Sequence, residues 1–220
     1  MRVILSLSAF NGSNPFPCIL ALLVILMAKV TVLIEGYARQ KEDCYEATCS
    51  TVLVEDNGKK ILVDPGCNEA LLLGALKKQG LSPQDIDYIF LSHYHIDHLV
   101  NIVLFPGKDI LDGGTIYRGD KEISFSGVLP GTSIEIIPTP GHAHEHTALL
   151  IKTGDGVVAV AEDVWWWEDG KQKTDLKSLL ELKDPFVKNE KELQKSRKLL
   201  LKKADYIIPG HGKMFKVPGK

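Results

Sequence analysis

The chain has 220 residues, 45% of them hydrophobic, and a formal net charge of −2 at pH 7. Such a chain is neither too short nor too polar to bury a sizeable core, so we expect one globular domain. The net charge alone neither supports nor excludes nucleic-acid binding, but the charge is unevenly placed. From Lys171 to the C-terminus there are 14 Lys and Arg against 6 Asp and Glu, which predicts a basic face in this segment.

The first 28 residues contain an apolar run, FPCILALLVILMA, at positions 16–28. The run suits the core of a signal peptide but is shorter than the ~20 residues of a membrane span. Arg2 is the single positive charge before it, and Met27 stands just before a predicted strand. Residues 1–28 are therefore predicted to be an N-terminal extension: a start site placed too far upstream, a leader or anchor, or part of the fold.

Residues 29–220 are predicted to form one catalytic domain in the cytoplasm. An exported or anchored location, with a membrane contact, is expected only if the apolar run is a real targeting segment. The four cysteines, Cys18, Cys44, Cys49 and Cys67, contain no CxxC pair, so they do not predict a zinc knuckle. A Cys44–Cys49 disulfide is one alternative, and free thiols in a reducing cytosol are the simpler interpretation.

Beyond Met27, short segments rich in Val and Ile alternate with Gly, Pro and Asp, a pattern typical of strands and turns. Three further segments have a helical apolar face or a capping residue and predict helices. This mixture predicts two sheets sandwiched between helices. The predicted strands are Val30–Ile34, Thr51–Glu55, Lys60–Val63, Tyr88–Leu91, Ser133–Ile137, Thr147–Lys152, Val157–Ala161 and Tyr206–Ile208, and the predicted helices are Asn68–Gln79, Ile96–Leu104 and Asn189–Lys203.

All seven histidines fall in three short motifs: SHYHIDH at 92–98, TPGHAHEH at 139–146 and PGHG at 209–212. Each motif follows a predicted strand, and the segment VVAVAED, which contains the predicted strand Val157–Ala161, is predicted to end at the same edge on Asp163. Because strand ends meet at an edge of a sheet, residues that are distant in sequence are expected to share one cleft. Clustered imidazole and carboxylate groups in a cleft predict a metal site, whereas scattered surface histidines would not sort so tightly.

Two neighbouring ions are expected in this site. His93 and His95, two residues apart, can face one ion, and Asp97 and His98 can face the other. These ligand types suit two Zn²⁺ ions, with Fe or Mn as alternatives. The predicted metal ligands are His93, His95 and His142 for the first ion, Asp97, His98 and His211 for the second, and Asp163 for both.

The motifs SHYHIDH, TPGH, AED and PGHG, in this order, resemble those of the metallo-β-lactamase-fold hydrolases from about Lys29 to the C-terminus. The resemblance implies an α/β fold, a four-layer αββα sandwich, with a dinuclear site at the top of its sheets. It implies hydrolysis by a hydroxide that bridges the two ions, with Asp97 as the catalytic residue that orients it. It also implies that Asp64, in LVDPG, orients a ligand histidine from outside the ligand set, whereas a turn carboxylate before Pro65 is the competing interpretation of this residue.

The chain departs from the family pattern at Val100 and Glu162, where the family usually has glycine. A glutamate beside Asp163 is expected to crowd, recharge or join the site. His144 and His146 are extra imidazoles in the same loop, and we expect them to pack near the site rather than to bind metal.

Cleavage of an RNA phosphodiester is the first functional prediction. It is supported by Trp165–Trp167 as a stacking wall, by the Lys-rich segment 188–203, and by the resemblance of further segments to a branch of the family whose animal member is assigned as an endoribonuclease. The competing interpretations are a lid or homodimer contact for the tryptophans and a solvated helix face for the lysines.

Hydrolysis of a small thioester, lactone or other carboxylic ester is the alternative function, because it needs no basic surface. β-Lactam hydrolysis ranks lower, since that branch lacks the bridging aspartate that Asp163 supplies. A di-iron redox scaffold ranks lower too, because no flavin-binding domain follows. DNA is not an expected partner.

Overall fold

The computed structural model describes residues 27–220. Of the predicted N-terminal extension, only Met27 and Ala28 belong to this part of the chain. The rest of the extension, including Cys18, lies outside the described residues. The first strand begins directly after Ala28, at Lys29.

The strands form two large sheets and one separate hairpin. In chain order they are β1 (Lys29–Ile34), β2 (Tyr37–Gln40), β3 (Tyr45–Thr48), β4 (Thr51–Asp56), β5 (Lys59–Val63), β6 (Tyr88–Phe90), β7 (Asp109–Leu111), β8 (Thr115–Arg118), β9 (Lys121–Ser124), β10 (Glu135–Pro138), β11 (Thr147–Thr153), β12 (Gly156–Trp166), β13 (Tyr206–His211) and β14 (Phe215–Lys216). The first sheet has the order β1-β4-β5-β6-β7-β8-β9, the second has the order β10-β11-β12-β13-β14, and β2 pairs with β3.

Most neighbouring strands in each sheet are antiparallel, but each sheet also contains parallel neighbours. In the first sheet β6 lies parallel to β5 and to β7, and in the second β12 lies parallel to β13. Parallel neighbours end at the same edge of a sheet, so the loops that follow them emerge side by side. The residues that follow β5 and β6, and those near the ends of β12 and β13, are therefore brought to common edges.

The core between the sheets follows from the alternation of side chains along each strand. In β4, Val52 and Val54 face the second sheet, while Leu53 faces outward. In β12, Val158 and Val160 face the first sheet in the same way. Because both faces of each sheet are apolar in the centre, each sheet needs a further layer on its outer side.

Helices supply these outer layers. Helix α1 (Glu69–Lys78) packs Leu72 and Leu76 on the outer face of the first sheet. On the second sheet, α3 (Leu176–Glu181) and α4 (Glu190–Lys203) bury Leu179, Leu193 and Leu200. The predicted four-layer αββα sandwich is confirmed.

Helix α4 has the N-terminus that its sequence predicts. Asn189 is the N-cap, and its side chain accepts a hydrogen bond of 3.2 Å from the backbone N–H of Glu192. The helix turns Leu193, Leu200 and Leu201 inward and leaves most of its lysines exposed. It is therefore an amphipathic outer helix, as predicted.

The predicted helix Ile96–Leu104 is only partly helical in the α sense. Helix α2 covers Ile96–Leu99, and a 3₁₀ segment continues from Val100 to Leu104. The prediction missed α3, although Asp175 caps it by accepting a hydrogen bond from Ser178 N. It also missed six short strands, which have few Val and Ile residues: β2, β3, β7, β8, β9 and β14.

Cys44, Cys49 and Cys67 are free, so the alternative of a Cys44–Cys49 disulfide is wrong.

Within residues 27–220, every helix is too short or too polar to cross a bilayer.

Replacing Asn189 by Ala should lower the free energy of unfolding by about 1 kcal/mol, because the first turn of α4 loses its side-chain acceptor. Asn189→Ser, which keeps an acceptor, should retain most of the stability. The measurement is chemical denaturation monitored by circular dichroism. Equal stability of the Ala and Ser variants would show that the cap contributes nothing.

Candidate metal centre

The first cluster of the centre contains three histidines and one aspartate: His93, His95, His142 and Asp163. His95 Nδ1 lies 3.0 Å from His142 Nε2, which lies 3.1 Å from Asp163 Oδ2. His93 Nε2 lies 3.6 Å from the same carboxylate oxygen. One ligand atom from each residue lies within 4.8 Å of the others, so these atoms can surround one ion.

The second cluster contains Asp97, His98 and His211, and it adjoins the first through Asp163. His211 Nε2 lies 3.2 Å from Asp97 Oδ2, and His98 Nε2 lies 3.9 Å from the same oxygen. Asp163 Oδ1 lies 3.5 Å from His98 Nε2 and 3.8 Å from His211 Nε2. Asp163 thus presents one carboxylate oxygen to each cluster.

Both sheets contribute to this arrangement. His93 and His95 follow β6 of the first sheet, and α2 adds Asp97 and His98. From the second sheet come His142 in the loop after β10, Asp163 in β12, and His211 at the end of β13. The structure therefore brings all seven predicted ligand residues together at one edge of the sandwich.

Asp163 does not end its strand, contrary to the prediction. Strand β12 continues to Trp166, and its register with β13 shifts on both sides of Glu162. Glu162 has a φ of +43°, a left-handed conformation that is uncommon for residues other than glycine. Such an irregularity changes the direction of successive side chains, so Asp163 points to both clusters while Glu162 points elsewhere.

The carboxyl group of Glu162 lies behind His98. Its Oε2 is 3.8 Å from His98 Nδ1, whereas Asp163 Oδ1 is near Nε2, the nitrogen that belongs to the cluster. Glu162 therefore joins neither of the two clusters. The other departure from the family pattern, Val100, is 40% exposed at the end of α2.

Several nitrogen and oxygen atoms at the centre lack a hydrogen-bond partner within residues 27–220, and a metal ion could take the place of one. His93 Nε2, His98 Nε2 and Asp163 Oδ1 are buried and have no hydrogen-bond partner among the described residues. Buried polar atoms without a partner are rare and costly, and here they converge from two separate segments, the 92–98 motif and β12. Imidazole nitrogens with carboxylate oxygens are a suitable set for Zn²⁺ and for other borderline divalent ions. The residues present fit the metal.

The ring nitrogens on the far side of the histidines are held by hydrogen bonds. His98 Nδ1 lies 2.7 Å from Asp64 Oδ2, and His142 Nδ1 lies 2.7 Å from Asp184 Oδ2. His211 Nδ1 lies 2.9 Å from the carbonyl oxygen of Tyr37. Such bonds fix the ring orientation and leave Nε2 free to bind an ion.

Asp184 was not predicted from the sequence. Besides holding His142, it accepts hydrogen bonds through Oδ1 from Trp166 Nε1 at 3.2 Å and from Phe186 N at 2.9 Å. The only local signal is the Asp-Pro pair at 184–185, which predicts a turn and nothing more. His144 is exposed, whereas His146 is buried with Nδ1 at 2.8 Å from Thr139 Oγ1.

The glycine that precedes His211 is required by close packing. A Cβ atom at Gly210 would clash with Asp163 Oδ1. The carbonyl oxygen of Gly210 also accepts a hydrogen bond of 2.6 Å from Ser50 N. Glycine at this position therefore lets β13 approach Asp163 closely.

At Asp163 and His142, charge–charge interactions oppose the effect of burial. Burial alone would raise the pKa of Asp163, but His98 and His142 hold that pKa well below its ordinary value. Burial alone would lower the pKa of His142, but the carboxylates of Asp163 and Asp184 raise it to about 9. For His93, burial and the neighbouring His98 hold the pKa well below the ordinary value. The centre thus favours ionised carboxylates.

A pocket of about 480 Å³ opens onto the two clusters. His95, Asp97, Asp163 and His211 line it on one side, and its other walls include Tyr45, Ile96, Trp166 and Phe186. The rings of Trp166 and Phe186 lie 5.6 Å apart. Trp165 and Trp167 are instead buried in the outer core of the second sheet, so one of the three consecutive tryptophans contributes to the wall.

The αββα sandwich and its edge-mounted His/Asp centre define a metal-dependent hydrolase. The sequence model of the metallo-beta-lactamase superfamily matches residues 45–110, and the chain belongs to this superfamily.

Relatives described as metallo-beta-lactamase domain-containing protein 1 include a frog and a human protein. The Xenopus laevis protein is 33% identical over 86% of this chain and 81% of its own length. The Homo sapiens protein is 34% identical over 78% of this chain and 62% of its own length.

Among solved structures, AidC, a dizinc quorum-quenching lactonase, superposes with a TM-score of 0.55. It shares 19% sequence identity, with 80% of this chain and 79% of that chain covered. The similarity supports the fold assignment.

Asp184→Asn should weaken Zn²⁺ binding about 10–100-fold, because the neutral amide holds the His142 ring less firmly. Competition with a chelating dye measures this affinity. Asp175→Asn is the matched control, since Asp175 is exposed and asparagine also caps a helix. Wild-type affinity in the Asp184 variant would contradict a supporting role.

Zn²⁺ binding should release protons below about pH 9, because the pKa of His142 is raised to about 9 and an imidazole must be neutral to bind metal. Apparent affinity should therefore rise from pH 7 towards pH 9. In the metal-free protein, protonated His142 stabilises the folded state. This contribution to the free energy of unfolding is fully present below the ordinary pKa of 6.5 and disappears as the pH rises through about 9. Calorimetry in buffers of different ionisation enthalpy counts the protons, and a count of zero would contradict the prediction.

Proposed function

We propose that this protein is a dinuclear metal-dependent hydrolase that cleaves phosphodiester bonds in single-stranded RNA. His93, His95 and His142 would hold one ion, Asp97, His98 and His211 the other, and Asp163 would contact both. The ions would most readily be Zn²⁺, with Fe or Mn as alternatives. When bound, they supply a water of lowered pKa and neutralise charge on the attacked group.

Asp97 is the residue that we assign to proton handling. It lines the pocket and its side chain is 28% exposed, more than the other carboxylates of the centre. Its Oδ2 lies 3.2 Å from His211 Nε2. The pKa of Asp97 is lowered despite burial, because His211 and His98 favour the ionised form. An ionised carboxylate at this position can orient a water by accepting its hydrogen bond.

The observation that carries the RNA assignment is the position of a lysine-rich groove beside the pocket. A groove of about 890 Å³ between α3 and α4 is lined by four lysines, Lys183, Lys191, Lys195 and Lys198, and by two glutamates, Glu181 and Glu190. The lysines outnumber the glutamates, so the groove has a net positive charge. The loop that begins at Lys183 reaches Phe186, which forms a wall of the catalytic pocket. One loop thus borders both an aromatic pocket and a basic groove.

Proteins that bind single-stranded nucleic acid commonly combine aromatic rings with a basic groove. Bases stack on aromatic rings, and a basic groove tracks the phosphates. Tyr45, Trp166 and Phe186 offer three aromatic rings around the pocket. A strand with one base in the pocket would pass over the 183–187 loop and place its following phosphates along α4.

Hydrolysis of a carboxylic ester, such as a lactone or thioester, is the second candidate. A specific observation favours it: among the described residues, the lining of the catalytic pocket includes no Lys or Arg. An apolar wall at Ile96, Trp166 and Phe186 suits an acyl group as well as a base. A small ester would occupy the pocket without reaching the groove, so the lysines of α4 separate the two candidates.

The test compares a single-stranded RNA with a panel of lactones and thioesters, using the full chain loaded with Zn²⁺. Wild type should cleave RNA, and Asp163→Asn should lower the rate at least about 100-fold, because both clusters lose a ligand. The triple change Lys191→Ala, Lys195→Ala and Lys198→Ala should weaken RNA binding. It should also reduce the slope of log affinity against log salt by about 2, since each phosphate contact to a single strand contributes about 0.7.

A second triple variant, Lys77→Ala, Lys78→Ala and Lys121→Ala, removes the same charge at exposed positions away from the groove. It should leave RNA binding unchanged. Ester hydrolysis without RNA cleavage, unaffected by either triple variant, would establish the second candidate instead. Equal RNA cleavage by wild type and Asp163→Asn would contradict the assignment of the activity to this centre.

A further inference from the structure

Four potential metal ligands, His98 among them, lie together on the side of His98 that faces away from the two clusters. They are Cys49, Asp64, His98 and Glu162, and one ligand atom of each lies within 4.8 Å of the others. All four residues are fully buried. We name this group the rear cluster.

The unusual member of the rear cluster is Glu162. Both of its carboxylate oxygens are buried and have no hydrogen-bond partner among the described residues. Leaving a carboxylate unpaired in the interior is strongly unfavourable, so native structures almost always compensate it. The side chain is aimed at the rear cluster, with Oε2 3.8 Å from His98 Nδ1.

The backbone is also strained to hold this arrangement. Glu162 and Asp64 both have left-handed conformations, with φ of +43° and +45°. Such conformations are unfavourable for residues with a Cβ atom and persist where the surroundings impose them. Asp64 is satisfied by hydrogen bonds from Ser92 and His98, so the unpartnered Glu162 is the group that points to a cation.

We propose that the rear cluster binds a third divalent cation, separate from the two ions of the catalytic centre. Its ligands would be the Cys49 thiolate and the carboxylates of Asp64 and Glu162. His98 would keep its 2.7 Å hydrogen bond to Asp64 and would not need to bind the ion. A thiolate with carboxylates suits Zn²⁺, and both unpartnered oxygens of Glu162 would be available to the ion.

Cys49 is placed for this role. Its Sγ donates a hydrogen bond of 3.6 Å to the carbonyl oxygen of Asp64. An ion that coordinates the sulfur would displace the thiol proton, and the buffer would take up this proton. The bound ion would neutralise Glu162 and hold Asp64, and Asp64 in turn orients His98 of the second cluster.

Co²⁺ substitution tests the proposal, because the predicted catalytic ligands are nitrogen and oxygen only. The full chain loaded with Co²⁺ should show a sulfur-to-cobalt charge-transfer band in the near ultraviolet. Cys49→Ser should abolish the band, and Glu162→Gln should weaken it. Cys67→Ser should leave it unchanged, since Cys67 lies in the wall of the catalytic pocket and not in the rear cluster.

Metal analysis after gel filtration should give about three ions per chain for wild type and about two for Cys49→Ser and Glu162→Gln. Two ions and no band in wild type would overturn the proposal and would mean that Glu162 is a neutral carboxylic acid. Retention of the band in Cys49→Ser would overturn it as well. Hydrolysis without the band refutes the rear ion alone, whereas the band without hydrolysis refutes the catalytic assignment alone.

Discussion

The structure depends on one constraint: many ionisable side chains are buried at a single edge of the sandwich. His93, His98 and Asp163 are almost completely inaccessible, and each has an atom that no protein group satisfies among the described residues. An apolar core cannot tolerate such groups without compensation. Cations at the centre would provide it, and the opposed pKa shifts of Asp163 and His142 show how strongly these groups already interact. Fold and metal binding are therefore energetically linked.

Much of this centre could be predicted from sequence, because its residues lie in short motifs at strand ends. The spacing of His93, His95 and His98 within seven residues is a local signal, and strand ends meet at sheet edges. Asp184 gives no such signal, since its partner His142 is 42 residues away and the contact depends on how the loop after α3 folds back. The direction of Glu162 was equally unpredictable, because a distortion of β12 and not its side-chain chemistry determines it.

The strands that sequence analysis missed share a physical reason for giving no clear sequence signal. Strand β9 is exposed along its whole length, and β2 and β3 each bury a single side chain, Ala38 and Thr48. Such segments have little buried face of their own, so pairing with a neighbour stabilises them rather than local propensity. Two of these strands, β2 and β3, nevertheless carry Ala38, Tyr45 and Ala47 into the pocket wall. Sequence patterns therefore located the residues of the two His/Asp clusters better than the walls of the pocket.

The two walls of the pocket are each bonded to one of the two clusters. The β2–β3 hairpin accepts the hydrogen bond of His211 through the carbonyl of Tyr37, and the 183–187 loop holds His142 through Asp184. A change in either wall therefore reaches a residue that we assign as a metal ligand through a single hydrogen bond. Conversely, an ion that fixes His142 and His211 also fixes the aromatic groups that would contact a substrate. Because the supporting acceptor on one side is a main-chain carbonyl and on the other a carboxylate, only the Asp184 side can be altered by one substitution.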